Sequence, residues 1–210
     1  MKNNLYKYEN ELRNSGVNYI CGVDEVGRGP LIGPVVACAV VLPKDFKLEG
    51  LDDSKKLTEK KRIAFNEYIL ENALAVSIVE IDEKIIDQIN IYQATKKGMI
   101  EAIGKLDCQV EHALIDAMPI PELNIPYTSI IKGDSKSISI AAASVVAKVY
   151  RDELMYELAK EHPEYGFEKH KGYPTKQHLQ ALEEFGVLDS HRRSFSPVAN
   201  KLNQQLSLFE

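Results

Sequence analysis

Gly22-Val23-Asp24-Glu25-Val26-Gly27-Arg28-Gly29-Pro30-Leu31-Ile32-Gly33-Pro34 is the stretch from which the rest of the chain is read. It leaves the apolar segment Tyr19-Ile20-Cys21 and sets two adjacent carboxylates at an expected strand end. A loop with glycines at 27, 29 and 33 around Arg28 follows. Side chains alternate along a strand, so Asp24 and Glu25 diverge unless the strand ends between them, where a twist would bring both to one site. Glycine permits positive φ and a close approach of backbone to ligand. Carboxylates suit a hard cation, and exposed amides beside an arginine suit phosphate, so the stretch points to metal-dependent phosphate chemistry. A dinucleotide fingerprint is disfavoured. The spacing G-x-G-x-x-x-G is one residue too long, and the β-branched run Val35 to Leu42 reads as a buried strand where that motif needs a helix. From this stretch alone, a hairpin with a capping acid pair stays open.

The surrounding chain bounds the answer. Its 210 residues suit one domain, or one with a small appendage, and 44% hydrophobic with 27% charged residues is an ordinary globular composition. Cys21, Cys38 and Cys108 form no C-x-x-C pair, and their odd number argues against a disulfide framework. The start lacks the apolar core of a signal peptide, and no apolar run approaches the roughly 20 residues of a membrane span. The expectation is a soluble protein of a reducing, cytoplasmic compartment. A net charge of −5 argues mildly against nucleic acid, but it is a poor guide where a cluster of acids is neutralised by metal.

Taken in order, residues 1–18 read as a short polar helical segment, then strands over 18–24 and 35–42. Thr58 caps a helix running to about Asn72, and Asp52 and Asp53 read first as turn and capping acids. A strand at 75–80 follows, then a short helix over 82–88 and a longer one from Ile91, with Asn90 and Gln93 at its start. A strand over 111–116 ends in Asp116. Prolines at 119, 121 and 126 exclude helix from the next connection. A strand over 127–131 leads into Asp134, then come a long small-residue helix from Ile138 to about His162 and a last helix over 176–185. Strands in series and then strands separated by helices predict an α/β domain with a mixed sheet.

Four acids fall where strands end or helices begin: Asp24, Glu25, Asp116 and Asp134. Open α/β sheets place ligands beyond strand ends, so these acids can converge. Without metal they would repel one another and raise each other's pKa values, a cost that two divalent ions remove. All-oxygen ligands favour Mg2+ or Mn2+ over zinc, and no His/Cys set has zinc spacing. Two such ions would support in-line attack on a phosphodiester. Isolated, Asp116 and Asp134 could equally cap turns. The five histidines (112, 162, 170, 178, 191) read as surface or loop residues, His170 a partial exception.

The motif D-E-V-G-R-G-P-L-I-G-P-V-V resembles the signature of the type 2 ribonucleases H, and within them bacterial ribonuclease HII. The resemblance continues through L-D-D-S-K-K-L (51–57), I-N-I-Y-Q-A-T (89–95), A-L-I-D-A (113–117), the segment 131–152 and H-K-G-Y-P-T-K-Q-H (170–178). With no extra domain before residue 19, the match is expected to be to ribonuclease HII and not the longer ribonuclease HIII. The resemblance implies a ribonuclease H-like fold, a mixed five-stranded sheet flanked by helices with a C-terminal helical extension. It divides the chain into an N-terminal segment (1–18), a catalytic domain (19–160), a substrate-contacting helical region (161–200) and a flexible tail (201–210). It also implies hydrolysis of the RNA strand of RNA–DNA hybrids, and cleavage 5′ to ribonucleotides embedded in duplex DNA, giving 5′-phosphate and 3′-hydroxyl ends. Asp24, Glu25, Asp116 and Asp134 become catalytic metal ligands. Gly27-Arg28-Gly29 would read the 2′-hydroxyl, the group that marks RNA from DNA, and Tyr173 would stack on the next sugar. Ser139, Ser144, Lys148 and Lys55 become phosphate contacts, and a monomer is expected. A non-catalytic nucleic-acid-binding module with a structural ion is the alternative, disfavoured by four intact acids. At the C-terminus, Gln205-Leu206-Ser207-Leu208-Phe209 resembles the Q-L-x-L-F motif that binds the bacterial DNA sliding clamp. Pro197 is expected to separate this tail from the preceding chain, and the tail either folds back on the protein or anchors it to a clamp.

Overall fold

A central strand made wholly of small or apolar residues up to its acids organises the sheet. The computed structural model describes residues 4–207, with side chains for 4–203. The elements run α1 (Lys7–Asn14), β1 (Ile20–Val26), β2 (Val35–Val41), α2 (Glu59–Asn72), β3 (Ala75–Ile81), α3 (Glu83–Gly104), β4 (His112–Asp116), β5 (Tyr127–Ile130), α4 (Ile138–Glu161), α5 (Phe167–His170), α6 (Lys176–Phe185) and α7 (Ser196–Ser207). The five strands form one sheet in the order β3-β2-β1-β4-β5. β1 is antiparallel to β2 and parallel to β4, and β4 is parallel to β5, so the sheet is mixed as expected. Every residue of β2 is buried, as a strand covered on both faces requires.

The chain divides into two compact units, with one of the boundaries inside α4. The first comprises Met1–Val26, Val36–Val79 and Lys96–Val149; the second comprises Gly27–Val35, Glu80–Thr95 and Tyr150–Glu210. The first unit holds the central strands, α1, α2 and the start of α4. Gly22 is the point where α4 lies down on β1: a Cβ there would sit 2.0 Å from the Ser139 carbonyl carbon, so only glycine fits. Tyr8, Leu12 and Val17 pack on Ile20, Leu114, Ile130 and Ile140, which docks α1 on the sheet. From α1 the buried Glu9 accepts hydrogen bonds from Ser137 Oγ (2.5 Å) and the Ser139 amide (3.0 Å), capping α4 from outside its own chain segment. Thr58 caps α2 as its sequence predicts.

In the second unit, Tyr165 and Phe167 stack at 5.1 Å beside Ile32, Met155 and Ala181. Leu31, Leu182 and Val198 form a second cluster, with Phe195 and Leu202 packed against it. Thr175 caps α6.

The two helices expected on either side of Asn90 are the two halves of α3, broken at the non-helical Asn90 (φ 67°, ψ 163°), whose side chain caps the second by accepting from the amides of Tyr92 and Gln93. Two expectations change. β1 does not end between Asp24 and Glu25: it runs to Val26, pairing Glu25 with Ala37 and Val26 with Val36, because the β2 register continues past the acids. Pro197 does not separate a tail from what precedes it. It stands in the first turn of α7, where a missing N–H costs nothing, and helix continues through residues 201–207.

Candidate active site

The sheet itself sets two of the acids side by side. β1 and β4 pair as far as Val23 and Ile115, and one step further stand Asp24 and Asp116. Asp24 is 5% exposed, and its Oδ1 accepts the Glu25 amide at 2.8 Å. α4, laid on Gly22, brings Ser144 within hydrogen-bond reach of Asp24, and Ser144 Oγ also lies 2.9 Å from Ser54 Oγ. That contact ties the 51–57 loop to the acid cluster. Asp53 caps the 54–56 turn through the Lys55 amide, and Asp52 pairs with Lys56 at 3.0 Å, the turn chemistry expected of them.

Asp116 closes β4, and the backbone beyond it is held in the left-handed region at Ala117 (φ 48°). Lys132 takes the same conformation (φ 57°) ahead of Gly133, whose amide donates to Asp116 Oδ1 at 2.6 Å. A Cβ on Gly133 would lie 2.5 Å from Ile140 Cδ1 and 3.3 Å from Asp116 Oδ1, so a larger residue in the turn that carries Asp134 would have to displace the Ile140 side chain. Two strained non-glycine residues beside one acid cluster are characteristic of functional sites.

The carboxyls are costly where they stand. Burial holds Asp24 well above the usual carboxylate range, and the charges of Glu25 and Asp116 push the same way. Burial also raises Asp116, against the opposing Gly133 amide and Lys55 charge. Asp134 is raised by burial and then by Asp53 and Asp116. Asp53, read from sequence as a capping acid, is thus also part of this field. Glu25 is half-buried on the next position of β1.

This donor set fits a hard divalent cation: all its ligand atoms are oxygens, and a cation would favour the charged forms that burial and mutual repulsion oppose. Among the described residues, no three His, Cys, Asp or Glu side chains stand close enough to hold one ion by themselves. Mg2+ keeps several waters and needs only one or two carboxylates together with substrate phosphate.

In the second unit, two buried arginines organise the glycine loop. Arg192 donates to the carbonyls of Gly27 (2.6 Å), Arg28 (3.1 Å) and Gly33 (2.9 Å). Arg151 donates to Ile32 (3.2 Å), Pro34 (3.1 Å) and Lys171 (3.0 Å). Burial lowers Arg151 to about 10, and burial with the nearby Arg151 charge lowers Arg192 to about 9, so both stay charged at neutral pH. Gly27 (φ 92°) has no room for a Cβ, which would meet Arg151 Nε at 2.2 Å. The loop is stitched to the 170–175 segment by Leu31 N donating to Gly172 O at 2.8 Å. There the Tyr173 ring lies against Gly29: a Cβ on Gly29 would stand 3.2 Å from Tyr173 Cε1.

Residues 21–198 match the family Ribonuclease HII. The chain belongs to the ribonuclease HII family. Ribonuclease HII of Bacillus cytotoxicus is 56% identical over 202 residues, covering 96% of this chain and 78% of its own. That of Bacillus cereus strain G9842 is 58% identical over 200 residues, covering 95% and 77%. Among solved structures, ribonuclease H2 from Pyrococcus horikoshii OT3 superposes with a TM-score of 0.76 at 23% identity, covering 89% of this chain and 98% of that one. Ribonuclease HII from Archaeoglobus fulgidus, solved as a complex with PCNA, gives 0.72 at 24%, covering 84% and 95%. Bst-RNase HIII in complex with Mn2+ gives 0.64 at 18%, covering 90% and 70%. These structures share the fold. The family assignment makes the protein a ribonuclease H, a hydrolase of the RNA strand of RNA–DNA hybrids, and removes the reading as a non-catalytic binding module.

Several expected contacts of the ribonuclease look different in three dimensions. Ser139 is 1% exposed at the start of α4. Ser144 is buried and engaged with Asp24 and Ser54. Lys148 is half-buried, whereas Lys55 and Arg28 are exposed. The side chains of Gln205, Leu206, Leu208 and Phe209 lie outside the described residues. The histidine expectation is overturned: His178 and His191 are fully buried and His170 nearly so, because each ring nitrogen finds a hydrogen-bond partner inside. Arg151 and Arg192 were not foreseen. One signal was present for Arg151, which continues the buried stripe Ile140, Ser144, Ala147 and Met155 at helical spacing along α4. Arg192 offered none.

Proposed function

We propose that this ribonuclease also cuts duplex DNA 5′ to a single embedded ribonucleotide, leaving 5′-phosphate and 3′-hydroxyl ends, and that it uses two Mg2+ or Mn2+ ions held by Asp24, Glu25, Asp116 and Asp134. The observation that carries the specificity is the Tyr173 ring lying on Gly29, in a loop whose carbonyls are taken up by buried arginines. The carbonyls of Gly27 and Arg28 are taken up by Arg192, and the backbone of Gly27-Arg28-Gly29 is assigned in this reading to the ligand. A 2′-hydroxyl both donates and accepts, and it is the one group that distinguishes a ribonucleotide at that place. Tyr173, 40% exposed, is free on one side to stack on a sugar. Lys55, whose charge is felt by Asp116 and Asp134, is suited to hold a phosphate beside the acids, and Lys148 to hold the backbone further along.

When bound, the ions would supply the positive charge that in-line hydrolysis of a phosphodiester needs. The Mn2+ in Bst-RNase HIII supports a divalent requirement on this fold. The chain's own part is to hold Asp24 and Asp116 at the neighbouring ends of β1 and β4 and to orient Asp116 through the Gly133 amide. The complex of the Archaeoglobus enzyme with PCNA supports a clamp partner, with the 205–210 segment as the anchor. Tethering would raise the local concentration at DNA without any new active-site contact.

A duplex carrying one ribonucleotide tests this reading: incision on its 5′ side in Mg2+ is expected, and a duplex left intact while long hybrids are cut would overturn it. Calorimetry with Mn2+ alone, with no substrate present, reads the metal site directly; heat of binding that survives in Asp116→Asn unchanged would remove Asp116 from it. Removing residues 205–210 should leave cleavage of short duplexes intact and abolish micromolar-range clamp binding.

A further inference from the structure

The buried histidines of the second unit form a hydrogen-bonded chain whose proton positions can be derived. Leu188 N is a backbone amide and can only donate, so Nδ1 of His191, 3.0 Å away, carries the lone pair. A neutral imidazole has one N–H, which in His191 must then sit on Nε2. At the other end, the Tyr173 carbonyl can only accept, so Nδ1 of His178, 3.1 Å from it, carries the N–H. His178 Nε2 is therefore an acceptor. The two deductions are independent, and they meet correctly in the middle: the Nε2 atoms of His178 and His191 lie 3.2 Å apart with one proton between them. Both residues are wholly buried, and burial keeps them neutral, at about 4 for His178 and about 3 for His191. His170 follows the same logic. Its Nδ1 accepts from Gly172 N at 3.3 Å and its Nε2 faces the Tyr165 carbonyl at 2.9 Å, while its ring stacks on His178 at 4.7 Å.

The chain ends on the turn that carries Tyr173. The Tyr173 carbonyl also accepts the Thr175 amide at 2.7 Å, and its own amide donates to His170 O at 2.9 Å. Two residues of the motif H-K-G-Y-P-T-K-Q-H are thus bound to the backbone of the tyrosine between them. We propose that His178, held in a single tautomer by His191, is a positioning residue for Tyr173, fixing the turn that lays the ring against Gly29. The inference rests on the reading above in which Tyr173 contacts the substrate. It goes beyond that reading in naming what orients the ring. A rotated turn would move the ring off Gly29 while leaving the acid cluster untouched, so the loss should appear at single ribonucleotides and far less on long hybrids.

Two measurements test it. In 15N-histidine-labelled wild type, His178 should show the Nδ1–H tautomer and His191 the Nε2–H tautomer, with an N–N coupling across the bond between their Nε2 atoms. The opposite tautomer at His178, or two tautomers in exchange, would overturn the relay. The second uses the geometry of amides, since Asn places its NH2 near where Nδ1 stood, whereas Gln reaches toward the Nε2 position. His178→Asn should retain most single-ribonucleotide cleavage, and His178→Gln should lose about 10-fold in kcat with KM for long hybrids little changed. Thermal melts show that both variants are folded before rates are compared. Equal rates in the two variants, alongside a damaged Tyr173→Ala, would sink the positioning role alone. A silent Tyr173→Ala would instead refute the substrate contact of Tyr173 and the positioning role with it, leaving the spectrum to decide the tautomers.

Discussion

The two units bury ionisable groups in opposite ways. In the first, Asp24, Asp116 and Asp134 are placed so that burial and neighbouring acids raise them together, opposed by Lys55, the Ser144 hydroxyl and a few amides. In the second, Arg151 and Arg192 are as deeply buried, yet each is surrounded by three backbone carbonyls. His178 and His191 avoid charge altogether. The second unit satisfies its polar groups from within, as a rigid recognition surface should. In the first, burial and mutual repulsion oppose charge on the acids, and a cation bound beside them would favour their charged forms. A site that does chemistry on phosphate with metal help would be built in this way, and a structural core would not.

The largest expected effect breaks the first half of that contrast. Asp134→Asn keeps the shape of the side chain and removes its charge, so fold and duplex affinity should persist while turnover falls more than about 100-fold. Steady-state rates on a long hybrid check it, and wild-type-like turnover would take Asp134 out of the site.

Arg192→Met addresses the other half. It strands three buried carbonyls, which should cost about 3 kcal/mol or more in urea unfolding. Arg192→Lys should recover less than half, since one ammonium cannot reproduce the fork that reaches Gly27, Arg28 and Gly33. If lysine restored full stability, charge alone and not the carbonyl geometry would be what holds the loop.

The pH response sharpens the comparison, because the two regions have opposite signs. His178 and His191 lie below their ordinary value of 6.5, so above pH 6.5 they are neutral whether folded or unfolded. From there down to about pH 4 the unfolded chain takes up protons that the folded chain refuses. Stability falls with pH, by at most about 1.4 kcal/mol per unit for each histidine. The raised carboxyls contribute the other way, favouring the folded state as they protonate. Comparing wild type with His191→Gln cancels the acids: the stability advantage of wild type should shrink between pH 7 and pH 5, and a constant difference would contradict neutral burial of His191.

Much of this was legible in the residues. The five strands, apart from the end of β1, the Thr58 cap and the break at Asn90 follow from local pattern, because alternation, capping and turn chemistry act over a few residues. What escaped acts at long range. Arg192 meets Gly27 across 165 positions, and no local signal tells an arginine bound for carbonyls from one bound for water. His178 and His191 looked like loop residues because their burial depends on each other. The strand end at Asp24 was misjudged because β2, not β1, decides how far the pairing runs. Pro197 read as a break, but a proline in a helix's first turn and one after its last look alike in sequence.

The central claim is that the first unit buries its acids for a cation and not for stability. Unfolding of Asp24→Asn with chelator and with Mn2+ tests it most directly. Asn still accepts from the Glu25 amide and Ser144, and it removes a buried charge that faces Glu25 and Asp116. With chelator the variant should be more stable than wild type by roughly 1–2 kcal/mol, the usual exchange between stability and function at such sites. In Mn2+ wild type should recover the difference while the variant gains little. A variant less stable than wild type in chelator, or one that gains as much from Mn2+, would contradict the account.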